Sequence, residues 1–194
     1  GAGNLLGPEQ SGFVHAVGFD MYLRMLDETV RRLVEGHVAP KLQPSDVSLD
    51  LAAYLPDDYV ASVEAKLDVY RRLGAATTPE EIDAIRDELR DRFGPLPEQA
   101  EAFLGTAYLR VVGGILGVEG VLVRSTEARI TFRDSAVPRM KALGAAFHAV
   151  QFQLEVKRAQ PLALRLVKAG ATDLLPGIVR ALRSLVPAAQ AGAN

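Results

Sequence analysis

Apolar positions at Phe19, Leu23, Leu26, Val30 and Leu33 step by four and three, with Asp20, Asp27, Glu28, Arg31 and Arg32 between them. That spacing predicts one amphipathic helix, stopped by Gly36. The stretch HVAPKLQPSD carries two Pro and no period, which predicts a linker and a division of the chain into 1–46 and 47–194. Val47, Leu49 and Leu51 then alternate with polar residues, as in a half-buried strand ending before Pro56. Ser62 is placed to cap a helix that turns Val63, Leu67, Tyr70 and Leu73 inward, with Gly74 near its end. Thr78, Pro79 and Glu81 form a capping-box signature for a helix running to Phe93, with Gly94 to stop it. Pro97 opens another helix, to about Leu116, with Ala100, Phe103, Leu104, Ala107 and Val111 on its inner face.

After Gly117 the period changes from helical to alternating. GVLVRS and EARITF, separated by a turn near Thr126, predict a hairpin. A helix over 138–147, strands in VQFQLEV and LALRLV, and a last helix from a Thr172 cap to about Val186 follow, with Pro176 an apparent blemish inside that helix. The expected fold is therefore α+β: an N-terminal helical arm, then a helix-rich domain with a small, mostly antiparallel sheet.

Composition removes whole classes of function. The absence of Cys excludes disulfides, thiolate zinc sites and Cys nucleophiles, and fits a reducing, cytoplasmic setting. No apolar run approaches the roughly 18 residues of a membrane-spanning helix. The chain does not begin with Met and opens on a Gly-rich stretch without a signal sequence, so it is expected to be a piece of something longer. The net charge of −2 conceals a polarity: residues 1–118 carry −8 and residues 119–194 carry +6. Such halves suit two different partners, or each other, or are an uneven but solvated surface.

Candidate chemistry is sparse. Gly1, Gly3 and Gly7 lack both the Gly-Lys-Ser/Thr ending of a phosphate loop and the pattern of a dinucleotide site. His15, His37 and His148 are far apart in sequence and form no metal-binding pair, and nothing resembles a nucleophile elbow. Basic residues Arg124, Arg129, Arg133, Arg139, Lys141, Lys157, Arg158 and Arg165 lie in the sheet half, either as a DNA-contacting set or as solvated surface. The helix over 80–93 is more distinctive. At about 100° per residue, Ile82, Ile85, Leu89 and Phe93 share a narrow apolar face, while Glu80, Glu81, Asp83, Asp87, Glu88 and Asp91 fill the opposite arc. Arg86, Arg90 and Arg92 flank that arc and leave it net negative, either as a solvated helix face or as one suited to a basic partner.

The succession GAGNLLGPEQSG, VGFDMYLRMLDETV, LPDDYV, KLDVYRRL and DELRDRFGPLP resembles bacterial transcription-repair coupling factors over nearly the whole chain, most densely through residue 97. The first motif is shared with the RecG branch translocase; DRFGPLP is not part of that protein. The resemblance implies that residues 1–46 end the motor's TRG motif, with Gln10 as a coupling residue, and that the Arg expected just before Gly1 is absent. It further implies that residues 47–194 are a regulatory domain masking the UvrA-binding surface of a UvrB-like N-terminal module until the motor meets stalled RNA polymerase. Glu88, Asp91 and Arg92 would be its clamp residues, and Glu88 and Asp91 fall on the acidic arc. ATP, Mg and double-stranded DNA would belong to the parent motor; this chain is expected to be monomeric, without cofactor, metal or catalytic residue of its own. The competing expectation is an accessory DNA-binding domain using the basic half.

Overall fold

A computed structural model describes residues 43–136 and 138–187. The predicted N-terminal helix and Gln10 lie outside the described residues. Within them the order is β1 (Asp46–Leu49), α1 (Val63–Ala75), α2 (Pro79–Phe93), α3 (Glu98–Ile115), β2 (Val118–Val123), β3 (Glu127–Phe132), α4 (Met140–Ala149), β4 (Phe152–Ala159), β5 (Leu162–Lys168) and α5 (Leu174–Arg183). The strands form one sheet in the order β1-β2-β3-β5-β4. Only β1 and β2 run parallel; every other pair is antiparallel, so the α+β expectation of a small, mostly antiparallel sheet holds.

Alternation fixes which face of the sheet is covered. Val47, Val121, Val123, Ala128, Ile130, Phe132, Leu164 and Leu166 are buried together, with Phe147 of α4 and Ile178 and Leu182 of α5 packed on them. A second core joins Val69, Tyr70 and Leu73 of α1, Ile82, Ile85 and Leu89 of α2, and Phe103, Leu104, Ala107, Tyr108 and Val111 of α3. The α3 helix belongs to both cores: its opposite side supplies Ala102, Leu109 and Val112 to the sheet core. The inner residues expected for α3 are all buried, and the sheet closes the side that a one-stripe reading leaves to solvent.

Five local expectations change. Leu51 is 42% exposed, because the ladder ends at the hydrogen bond from Asp50 N to Val123 O (2.9 Å) and the chain then bends away from the sheet. In α1, Val63 is 46% exposed and Leu67 half-buried, while Lys66 is buried. The Lys66 ammonium pairs with Asp57, so its apolar stem can occupy an inner position. Asp173, not Thr172, precedes α5, and its carboxylate meets Lys168 at 3.0 Å without capping the helix. Pro176, at the third position of that helix, lies where a backbone N–H has no intrahelical acceptor and so breaks nothing. The helix stops at Arg183, earlier than expected, with Ser184 Oγ donating to Ala181 O at 2.7 Å.

Residues just before β1 are tied in as well. Ser45 Oγ donates to Val118 O at 2.8 Å, and Arg133 donates to the carbonyls of Gln43 and Pro44 at 2.8 and 3.1 Å. Gly113 of α3 faces this crossing, where an added Cβ would fall 2.3 Å from Ser45 Oγ.

Candidate interaction surface

The capping-box sequence sets where α2 begins. Glu81 N donates to Thr78 Oγ1 at 3.4 Å, and the Glu81 carboxylate accepts from Thr77 N and Thr78 N at 2.7 and 3.1 Å. Those backbone donors hold the Glu81 carboxyl below the usual carboxylate range. Gly94, at φ +87, ends the helix in the left-handed region, and its N–H donates to Arg90 O at 2.9 Å. The Tyr59 hydroxyl shares its proton between Leu89 O at 3.1 Å and Gly94 O at 3.0 Å. Its ring meets Phe93 edge-on at 5.8 Å between centroids. With Ile82, Ile85 and Leu89 buried beneath, both ends and the inner face of α2 are fixed.

The outer arc is less uniform than the sequence implies. Asp83 turns inward: the Tyr108 hydroxyl of α3 donates to its Oδ1, and Arg183 of α5 donates to both oxygens, one bond measuring 3.2 Å. The Arg183 guanidinium also lies 5.0 Å from the Tyr108 ring centroid. Burial pushes the Asp83 pKa up, but the Tyr108 and Arg183 hydrogen bonds outweigh it and leave the carboxyl below its ordinary value. Burial, joined by the Asp83 contact, pushes the Tyr108 phenol well up. Asp83 is thus a junction of three helices, not part of the free arc. Glu81 is spent on the cap, and Arg86 bridges to Glu101 of α3 at 2.7 Å.

The three residues carried over as clamp residues sit together at the C-terminal end of α2 and differ in freedom. The Asp91 side chain is 76% exposed, and Arg90 Nε is 3.9 Å from it. The Arg92 side chain is 54% exposed, lies 5.0 Å from the Phe93 ring centroid and meets Glu88 at 2.7 Å. The Glu88 side chain is only 31% exposed, because its second oxygen meets Arg72 of α1, also at 2.7 Å. The Arg72 and Arg92 guanidinium groups hold the Glu88 carboxyl below the usual range. Glu88 is therefore a bridged residue rather than a free anion. Arg72 was missed by the sequence reading, since it lies in another helix and only the α1–α2 packing brings it here.

In the basic half, Arg129 and Arg165 are register partners on β3 and β5, and the basic side chains there share Glu127 and Glu155. Arg165 of β5 meets Glu127 of β3 at 2.6 Å and Glu155 of β4 at 3.4 Å, and Lys157 meets Glu155 at 2.5 Å. Arg133 is occupied by the carbonyls of Gln43 and Pro44. Among the described residues no group of three or more His, Cys, Asp or Glu side chains is arranged to hold a metal ion, and no helix is long and apolar enough to cross a membrane.

Comparison with known proteins matches residues 49–143 to the TRCF domain family. A transcription-repair-coupling factor of Mycobacterium bovis is 40% identical over 172 residues, covering 80% of this chain and 14% of that protein. One of Haemophilus influenzae is 42% identical over 117 residues, covering 58% of this chain and 10% of its own length. One of Bacillus subtilis is 33% identical over 136 residues, covering 70% of this chain and 12% of its own. The chain thus spans about a seventh or less of these relatives. A solved structure described as the C-terminal domain of transcription-repair coupling factor superposes with a TM-score of 0.63 at 18% identity, covering 78% of this chain and 95% of that one. That likeness concerns the fold.

Proposed function

Because the chain belongs to the transcription-repair coupling factor family, we propose that its TRCF domain is an autoinhibitory interaction module. In this reading it docks on a UvrB-like N-terminal module of the parent protein and masks that module's UvrA-binding surface until an ATP-dependent motor on double-stranded DNA engages stalled RNA polymerase. ATP and Mg act in the motor, and Gln10 lies in the segment that couples hydrolysis to movement. Transcription-coupled nucleotide excision repair in the cytoplasm is the setting. The chain itself acts as a monomer by binding, not by catalysis.

The observation that carries this reading is the C-terminal end of α2, capped at both ends, with Asp91, Arg92 and the bridged Glu88 on one outer patch. A helix so anchored can present charges to a partner with little loss of conformational freedom on docking. In the DNA-binding alternative, Arg165, Lys157 and Arg133 would have to exchange partners they hold within the domain.

The test is UvrA binding by the full-length parent in the absence of RNA polymerase. Removing everything from residue 47 onward should expose the UvrA surface. Asp91→Arg should release it in part, and Glu88→Lys with Asp91→Arg more fully, since like charges brought together at an interface cost several kcal/mol. Wild-type UvrA affinity after the truncation would remove the autoinhibition reading altogether.

A further inference from the structure

Resting on that docking reading, we propose that Arg72 is a built-in competitor for Glu88: it occupies the carboxylate that a cation of the docked module would take, and so keeps the clamp releasable.

Each Glu88 oxygen already holds one guanidinium at 2.7 Å, Oε1 from Arg92 and Oε2 from Arg72. A cation arriving from outside therefore meets a carboxylate already in use. Arg92 belongs to the clamp patch itself and lies one turn from Glu88 on α2. Arg72 comes from α1 and has a second acceptor, Asp68 Oδ2 at 3.5 Å, one turn earlier on its own helix. The other Asp68 oxygen is held by Arg71 at 2.6 Å, which keeps that carboxylate in place. Arg72 can thus leave Glu88 and still face a negative charge. The exchange strands no ion in an apolar setting, because the Arg72 and Glu88 side chains are 36% and 31% exposed. Docking then replaces one ion pair by another, and only the difference between them contributes to the clamp.

Net charge acts in the same direction. Asp68, Arg71, Arg72, Glu88, Asp91 and Arg92 together are neutral, and without Arg72 the group carries one negative charge. Both the local exchange and the field of the patch predict that losing Arg72 tightens docking on a basic surface, the opposite of losing Glu88.

The experiment uses the full-length parent carrying Asp91→Ala, whose weakened clamp leaves UvrA affinity between closed and open, so that a change in either direction can be read. Adding Arg72→Gln should lower UvrA affinity roughly threefold, the scale of one exposed ion pair. Adding Glu88→Gln instead should raise it, and Arg72→Gln should then lower it by clearly less than threefold, the remainder left by net charge alone. A rise or no change with Arg72→Gln, or the same fall when Glu88 is already Gln, overturns the competitor role while the docking reading stands. If truncation from residue 47 leaves UvrA affinity at its wild-type value, the docking reading falls and takes this role with it. Thermal unfolding of the chain carrying Arg72→Gln distinguishes a lost ion pair from a folding defect, which would raise UvrA affinity.

Discussion

On the sheet, Glu127 lies 2.6 Å from Arg165 and Glu155 lies 2.5 Å from Lys157, whereas on α2 the Asp91 side chain is 76% exposed and Arg90 is 3.9 Å away. On the sheet, Arg165 is answered across neighbouring strands by Glu127 and Glu155, and Lys157 by Glu155 within its own strand, while α2 leaves Asp91 standing outward. Geometry accounts for the difference. In a sheet, register sets side chains from adjacent strands opposite one another, as Arg129, Arg165 and Glu155 are aligned across β3, β5 and β4. On a helix, side chains radiate, and only those one turn apart or facing a neighbouring helix find partners. Excess charge in a stretch of sequence is thus a poor guide to charge available for binding.

The same two regions differ in how their cores are built. The helical core gathers α1, α2 and one side of α3, which follow one another in the chain; the sheet core draws on strands and helices from residue 47 to residue 186. Because α3 supplies both, the two cores should unfold in one transition. Phe103→Ala in the helical core and Phe132→Ala in the sheet core should each lower that transition by about 3–5 kcal/mol, measured by denaturant unfolding. Two separated transitions in either variant would show that α3 does not couple the halves.

A smaller effect is expected at the junction between them, where Asp83 of α2 joins Tyr108 of α3 and Arg183 of α5. Asp83→Asn should cost about 1–2 kcal/mol at neutral pH, the scale of charge-assisted hydrogen bonds at a partly exposed site. The pH profile gives the sign. The Asp83 carboxyl lies lower in the folded chain than its ordinary value, so its contribution is complete above about pH 4 and is lost as the pH falls through the folded value. The Tyr108 phenol is raised, so its contribution is complete below about pH 10 and is lost as the pH rises further. Asp83→Asn should flatten the acid limb of the stability curve and Tyr108→Phe the alkaline limb. Unaltered limbs would mean that the junction carries no linkage between the regions.

The smallest effect should come from the start of α2. Thr78→Ala removes the acceptor for Glu81 N and should cost about 1 kcal/mol. Since Glu81 still accepts from the Thr77 and Thr78 backbone, hydrogen exchange should quicken in the first turn while the C-terminal patch keeps its protection. Faster exchange at Glu88 and Asp91 would show that the patch depends on the helix start rather than on the anchors at its other end.

Local rules along the chain determine much of this protein. Thr78, Pro79, Glu81 and Gly94 delimit α2 because caps and left-handed stops act within a few residues, and alternation in Ile130, Phe132, Leu164 and Leu166 marks the buried face of the sheet because the strand period is two. The position of Glu88, Asp91 and Arg92 on one outer patch of α2 follows from helical spacing alone. What each of them is free to do does not. Asp83 has the same outward phase in a helical projection as its acidic neighbours, yet α3 and α5 pack against it and supply Tyr108 and Arg183. Leu51 continues the alternation of β1 but lies past the end of the ladder, and Lys66 is buried only because Asp57 comes within reach of its ammonium. Arg72 becomes part of the patch only because α1 lies against α2. Periodicity fixes the direction in which a side chain leaves its own element; what it meets there is decided by elements distant in sequence, and only the tertiary structure brings those together.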